Sequence, residues 1–322
     1  MRVSIIGCGL IGRKRALSAL SHQVVVVCDR DPVRAEALAN QVGARAVTDA
    51  REAIGAAVDV VVVATTHDQL AGLALAAVEA GKHVLVEKPG GRHVDEVRPI
   101  AEAARRSRRI VKVGFNHRFH PGFLKARQIV DEGAIGPLLF IRASYGHGGR
   151  LGMEREWRCQ ADLSGGGEAI DQGSHLIDLS RWFLGDLSLD YAAAPTFFWN
   201  VAVDDNCFMA LRGKRGEMAW LHASWTEWKN LFTFELFGRN GKLIIEGLGG
   251  SYGVERLTFH RTLPEMGPPE TTSWEYPFPD RSWASEFADF AAAVAGCRKP
   301  CGDIDDAIAN LKIIEQIYGT RA

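Results

Sequence analysis

The chain has 322 residues, with 38 basic and 39 acidic side chains and a formal net charge of −1. A balance this close gives no electrostatic case for nucleic acid or for an anionic membrane surface, and no apolar run approaches the roughly 20 residues that span a bilayer. The length predicts two domains of about 150 residues each, and the six cysteines lack zinc-site spacing and read as reduced thiols of a cytoplasmic protein.

The chain opens on MRVSIIGCGLIG. Val3, Ile5 and Ile6 predict a buried strand that starts at once, so no secretory signal is expected. Gly7, Gly9 and Gly12 follow as G-x-G-x-x-G, then a helix-like stretch near 13–20. Such glycines permit a tight turn, backbone approach to a pyrophosphate and close packing of helix on sheet. The helix start offers N–H groups to the phosphates, which makes Gly7, Gly9, Leu10, Ile11 and Gly12 candidate cofactor residues. A second strand, 23–28, ends at Asp29, 17 residues past Gly12. A carboxylate there accepts from the adenosine ribose hydroxyls and disfavours a 2′-phosphate. Asp31-Pro32 is the better helix cap, which leaves Asp29 available. The cofactor expected is therefore NAD, with NADP possible because Arg30 sits beside Asp29.

Further strands are predicted near 58–63, 83–86 and 110–114, alternating with helices near 31–41, 68–80 and 92–106. This alternation implies a parallel sheet covered on both faces. Thr65 follows strand 58–63 and joins the candidate cofactor residues. Glu87-Lys88-Pro89 follows strand 83–86, at the strand end where doubly wound folds bind ligands. Lys88 is a candidate donor to a substrate hydroxyl, with Glu87 holding it in place or touching the cofactor; an exposed turn is the plainer alternative. After the last of these strands comes Asn116-His117-Arg118-Phe119. Asn116 reads as a cofactor residue and Arg118 as a substrate residue, unless the two tie domains together.

No Phe, Tyr or Trp precedes Phe115, and all eight Trp lie at or after Trp157. That shift sets an expected boundary at 119, with a dinucleotide-binding domain over 1–119 and a substrate and oligomerisation domain over 120–302. Strands are expected at 138–145, 196–201, 205–212, 217–227, 231–237 and 241–246, with Asn240-Gly241 as a turn signal. They predict an α+β domain with a large, mostly antiparallel, open-faced sheet. The region of Trp225, Trp228 and Phe232 offers an exposed interface or ordinary core, and the Pro-rich stretch 264–279 reads as an irregular loop.

Gly165-Gly166-Gly167 introduces a helix on which Asp171, His175 and Asp178 stand at i, i+4 and i+7, on one face. A carboxylate beside an imidazole fixes its tautomer and suits a general acid–base, and the three glycines suggest close approach of backbone to ligand. His117 and His120 are separated by two residues, but no H-E-x-x-H pattern occurs and no metal is expected. Helices are predicted at 283–296 and 303–318, the second capped by Asp303. The apolar stripe Leu311, Ile314 and Ile317 is expected to bury 303–322 on or near the first domain.

The motifs Gly7-x-Gly9-x-x-Gly12, Glu87-Lys88-Pro89 and Asp171-x-x-x-His175, in that order and spacing, resemble the Gfo/Idh/MocA oxidoreductases across essentially the whole chain. The resemblance implies a Rossmann domain followed by a domain with a large open sheet that commonly mediates homodimers or homotetramers. It implies NAD(P)-dependent hydride transfer at a secondary alcohol or ketone of a sugar, nucleotide-linked sugar or cyclitol. It makes Lys88, Asp171 and His175 the catalytic set, and it suggests a cis Lys88–Pro89 bond. It places the loop 147–160 against substrate, with Arg150, Trp157 and Arg158 as candidate contacts; Arg150, Arg155 and Arg158 suit a phosphate or carboxylate, and a solvated loop is the plain alternative. The rival expectations are a non-catalytic dinucleotide sensor of the same fold and an NAD-dependent, redox-neutral glycosidase.

Overall fold

The computed structural model describes residues 1–320. They divide into two compact units: residues 1–115 with 283–311, and residues 116–282 with those from 312 on. The first break falls four residues before the expected boundary. The segment 283–302, expected with the second domain, belongs to the first unit, and the final helix is shared between the two.

In the first unit, strands β1 (Arg2–Ile6), β2 (Gln23–Cys28), β3 (Arg45–Val47), β4 (Val60–Val63), β5 (His83–Val86) and β6 (Val111–Val113) form one sheet. Every pairing is parallel, in the order β3-β2-β1-β4-β5-β6. The Val-rich strands are buried on both sides, as crossover helices require: Val60 to Val63 and Val84 to Val86 have no exposed surface. The helices are α1 (Leu10–Ser18), α2 (Pro32–Val42), α3 (Ala50–Gly55), α4 (His67–Glu79) and α5 (Val94–Ser107). The Asp31 carboxylate accepts from the Val33 N–H at 3.0 Å, the cap expected for α2. The short edge strand β3 and the one-and-a-half-turn α3 escape sequence reading because neither is long enough to show a period. The strand order reverses between β1 and β4, which makes the ends of these two strands the crevice of the sheet.

The second unit contains β7 (Leu138–Gly146), β8 (Leu187–Ala193), β9 (Asn206–Gly213), β10 (Met218–Ser224), β11 (Leu231–Gly238), β12 (Gly241–Glu246), β13 (Glu255–Arg261) and β14 (Glu270–Tyr276). Their order is β14-β13-β12-β11-β7-β10-β9-β8, antiparallel except where β10 meets β7. Helices α6 (Pro121–Asp131) and α9 (Gly173–Leu184) cover one face, over Ile141, Ala143, Leu221, Phe234 and Leu236. The other face carries Phe140 stacked on Phe237 at 4.1 Å, with Trp220 and Arg142 exposed. The short helices α7 (Ala161–Ser164) and α8 (Glu168–Asp171) lead into α9. Helix α10 (Ser282–Gly296), from Trp283 on, and the first half of α11 (Ile304–Gly319) fall in the first unit, and Asp303 caps α11 by accepting from Asp305 and Asp306 at 3.1 Å.

Two expectations are corrected, and a third is settled between its two alternatives. Residues 270–276 are strand β14, because Thr-, Trp- and Tyr-rich sequence outweighs the nearby prolines once β13 offers an edge. Residues 196–201 are not a strand. The N–H groups of Phe197, Phe198 and Trp199 all donate to the Asp205 carboxylate, at 2.9, 2.8 and 2.9 Å, so they have none left for a ladder. The Trp225 and Phe232 side chains are core, at 1% and 2% exposure, and only Trp228 of that region faces solvent.

Burial works to raise the Asp205 carboxyl, but the N–H groups of Phe197, Trp199 and Phe198 and the Asn206 amide outweigh it and hold it below the usual carboxylate range. Its stabilisation is therefore present above the ordinary carboxylate pKa, about 3.9, and is lost as pH falls through the depressed value. Asp205→Asn is expected to lower stability by about 1–3 kcal/mol at pH 7. In urea melts the gap to wild type should close as the pH drops below about 4.

Candidate active site

In the first unit the glycine loop runs from the end of β1 into α1. A Cβ on Gly7 would overlap the Ala64 carbonyl oxygen, and one on Gly12 would overlap the Gly7 carbonyl oxygen. Those two glycines exist for self-packing. Gly9 differs: nothing lies within 4 Å of its missing Cβ. It caps α1 with no side-chain hydrogen bond, so the first N–H groups of the helix face an open cradle. Leu10, at the mouth, is 72% exposed, and Ile11 is half-buried. This arrangement fits a pyrophosphate. Thr65 and Asp29 flank it from the ends of β4 and β2, both half-buried, with Arg30 exposed beside Asp29. Asp29 accepts from the Cys8 N–H at 2.8 Å and from the Asp31 N–H at 3.0 Å. A carboxylate offers about four acceptor positions, so two remain for ribose hydroxyls. Burial, with Asp29 and Cys28 nearby, pushes the Cys8 thiol up to about 12, so it stays protonated in the loop.

Lys88 follows β5, is half-buried, and is joined to Pro89 by a cis peptide bond. Glu87 faces the interior of the unit. Its buried carboxylate takes the Arg15 Nε–H at 2.5 Å, and the same guanidinium, wholly buried, also binds Glu286 on α10. Lys112 on β6 stands 3.9 Å from Glu286 and 3.4 Å from Asp289. Burial and the Glu286 charge push the Glu87 carboxyl up against the opposing pull of Arg15 and Lys88. Arg15 is the element that sequence reading missed. Its only signal was a charge on an otherwise apolar, sheet-facing helix position.

In the second unit α8 and α9 are nearly one helix, broken at Gln172, where the His175 N–H reaches only to the Gln172 carbonyl at 3.0 Å. The expectation about the three glycines is corrected. A Cβ on Gly167 would overlap the Asp204 backbone and one on Gly166 would overlap the Tyr318 hydroxyl, so this run accommodates the chain's own atoms. Asp204 caps α8 instead, accepting from the Gly167 N–H at 2.9 Å and the Ala169 N–H at 2.7 Å.

Asp171 forms an ion pair with Arg158 at 3.2 Å, and His175 is buried at 6% exposure. Around them gather groups that sequence reading did not select. The Tyr252 hydroxyl lies 3.2 Å from the Gln172 amide, and Tyr145 packs edge-on to Tyr252 at 5.1 Å. Burial pushes Tyr145 well above the usual tyrosine range and Tyr252 up to about 12, and Glu168 and Asp171 add to both shifts. Both phenols therefore keep their protons at neutral pH. His147 is lowered, first by burial, and its Nδ1 accepts from the Gly149 N–H at 2.9 Å. That bond places its proton on Nε2 in the neutral form.

Two expected ligands have partners inside the protein. Arg118 is buried and grips Asp178 with two bonds, of 2.9 and 2.6 Å. Asn116 is buried too, and its amide donates to the Ser282 hydroxyl at 2.9 Å. In the loop 147–160, Arg150 pairs with Glu156 at 2.6 Å, and Arg158 lies over the Trp157 ring at 4.6 Å as well as on Asp171. Met153 and Cys159 pin the loop into a small core with Val203 and Trp225.

Residues 1–115 match the model of an oxidoreductase family with an NAD-binding Rossmann fold, and residues 123–244 match the corresponding GFO/IDH/MocA C-terminal domain. The chain is similar to inositol 2-dehydrogenase 3 of Saccharopolyspora erythraea, 34% identical over 192 residues, which cover 58% of this chain and 54% of that protein. It thus spans about half the length of that relative. It is also similar to the levoglucosan dehydrogenase of Pseudarthrobacter phenanthrenivorans, 26% identical over 284 residues, 76% of this chain and 73% of that one. A solved levoglucosan dehydrogenase in complex with NADH and levoglucosan shares the fold, with a TM-score of 0.89 at 24% identity over 99% of this chain and 96% of that one.

The pairing of Arg118 with Asp178 gives a test against the substrate-ligand expectation. Breaking a buried pair from one side costs about 3–5 kcal/mol. Arg118→Met is expected to lose that much in denaturant titration. A stable variant with only a raised KM would reinstate Arg118 as a ligand.

Proposed function

The chain belongs to the Gfo/Idh/MocA oxidoreductase family, and from that premise we propose that it transfers hydride between NAD and a secondary alcohol or ketone of a sugar or cyclitol. The relatives named inositol 2-dehydrogenase and levoglucosan dehydrogenase support this substrate class. The observation that carries the reading is the polar cluster of His175, Tyr145 and Gln172, all buried, with Asp171 and Tyr252 half-buried beside them, a set of donors and acceptors suited to hydroxyl groups. Arg118, Arg150 and Arg158 each already face a carboxylate. An uncharged polyol therefore suits the site better than a phosphorylated or nucleotide-linked one.

Gly7, Gly9, Leu10, Ile11 and Gly12 hold the pyrophosphate of the cofactor, and Asp29 its adenosine ribose, beside Arg30 and Thr65. When bound, the nicotinamide accepts or supplies the hydride. His175 Nε2 or Nδ1 takes the hydroxyl proton in oxidation and returns it in reduction. Lys88 donates to a substrate oxygen and stabilises the negative charge that develops there. Asp171 orients the imidazole and carries Arg158 at the rim, beside Trp157. We further propose that the outer sheet face, with Phe140, Phe237 and Trp220, joins copies into a homodimer or homotetramer. Six free thiols support a cytoplasmic setting.

The test is turnover of myo-inositol and levoglucosan with NAD, read at the reduced-nicotinamide absorbance. His175→Asn and Lys88→Met are each expected to lower kcat by about 10²–10⁴-fold, with NADH affinity near wild type. A sensor would bind NADH without turnover, and a redox-neutral glycosidase would release product without net reduction; either result overturns the reading. Asp29 predicts a kcat/KM preference for NAD over NADP, and Asp29→Ala should shrink that preference.

A further inference from the structure

The pentapeptide Asn116-His117-Arg118-Phe119-His120 follows β6 and is buried almost throughout. Three of its polar side chains face fixed partners within the second unit. Asn116 bonds to Ser282, Arg118 to Asp178, and His120 Nδ1 lies 3.0 Å from the Glu255 carboxylate, whose other oxygen accepts the Gly122 N–H at 2.6 Å. His117 turns the other way. Its ring centroid lies 3.7 Å from that of His175, with the planes 33° apart, and Tyr145 closes on it from a third side at 5.4 Å.

The hydrogen-bond polarity behind His117 is determined from its far end. The Ser282 hydroxyl donates to the Asp280 carboxylate at 2.6 Å, because that oxygen can only accept. Ser282 must then accept from the Asn116 amide nitrogen, which turns the amide oxygen toward His117 Nδ1 at 3.3 Å. An oxygen there requires a proton on Nδ1. The ring facing His175 is thus oriented by a chain of bonds that ends on an ionised carboxylate.

We propose that His117 is a positioning residue: held through Asn116, Ser282 and Asp280, it lies on the face of the His175 imidazole and holds that ring in the orientation acid–base transfer requires. A general base must hold its nitrogen within hydrogen-bond reach of the hydroxyl, and a displacement of about 1 Å reduces rate by about 10²-fold. An imidazole on a single stem has two soft torsions, so a flat partner against its face is the simplest restraint.

The inference rests on His175 as the acid–base, and the test separates the two claims. Steady-state turnover of myo-inositol and levoglucosan is measured for wild type, His117→Ala and His117→Phe. The Ala variant is expected to lose about 10–100-fold in kcat while KM and NADH affinity change little, and Phe, which keeps a flat ring, should recover most of that loss. The second readout needs no substrate. In histidine-labelled protein the His175 Cε1–H resonance should carry an upfield ring-current shift that is lost in His117→Ala and retained in His117→Phe. If the Ala variant does not fold, His117→Gln, which keeps a donor for Asn116 but no ring, takes its place. A His175 resonance unmoved by ring removal, or wild-type kcat in the Ala or Gln variant, overturns the proposal. If wild type turns over neither compound, the functional reading fails and the resonance alone decides the positioning claim.

Discussion

The first unit is organised around one guanidinium with no solvent contact. Arg15 sits on the helix that begins at the glycine loop, and it binds Glu87 after β5 and Glu286 on α10. Burying charge is expensive, and a buried pair is weak evidence for stability, because desolvation consumes most of the Coulomb gain. What such a pair does supply is position. The residue beside Lys88 is tied to the helix that carries the phosphate cradle, so the two functional parts of this unit share one anchor. The arrangement leaves marks elsewhere. Gly114 has no Cβ because one would overlap the Arg15 guanidinium and the Glu87 carboxylate, and Trp283 lies over Arg15 at 4.5 Å. Lys112 offsets the excess negative charge of two carboxylates against one arginine.

The second unit repeats the device with different residues. Arg118 and Asp178 join the start of this unit to α9, and Asp204 ties the loop before β9 to the start of α8. Each bond fixes an element that carries or supports His175. The strained or special backbone positions follow the same logic. Gly166 and Gly167 let α8 begin against Tyr318 and Asp204, and no larger residue fits there. Rigidity at a hydrogen-bonding site comes from bonds of this kind around the reacting side chain, not from the side chain itself.

How far the sequence foretold this varies by the physical signal involved. The parallel sheet was legible because Val-rich runs and Ala-rich helices alternate over a hundred residues, and long repetition survives local error. The caps at Asp31 and Asp303 were legible because capping is a local bond between near neighbours. Strand β14 was not, since its exposed face reads as loop until β13 is beside it. The false strand at 196–201 had the right residue types, and a single carboxylate nine residues from its start captured its N–H groups. Tyr145, Tyr252 and His117 escaped selection because they come from distant parts of the chain and meet His175 and Gln172 only in the folded unit, with no spacing in the chain to announce them.

Glycines and arginines show the same limit from two sides. A glycine run says that something comes close to the backbone, and it does not say what. At Gly9 the space is open and suits a phosphate, whereas at Gly167 the protein's own chain fills it. An arginine likewise announces charge but not availability. Arg118, Arg150 and Arg158 looked like anion ligands in sequence, and each faces a carboxylate within the unit. A phosphate entering there would have to displace a carboxylate already in place, so a phosphate gains only the difference between two similar charge-assisted bonds. Tyr252 and Gln172 bond to each other as neutral groups, so an entering hydroxyl exchanges one neutral hydrogen bond for another of the same kind. On the proposed reading, the pairing of charges inside the protein is what tilts the site toward an uncharged sugar.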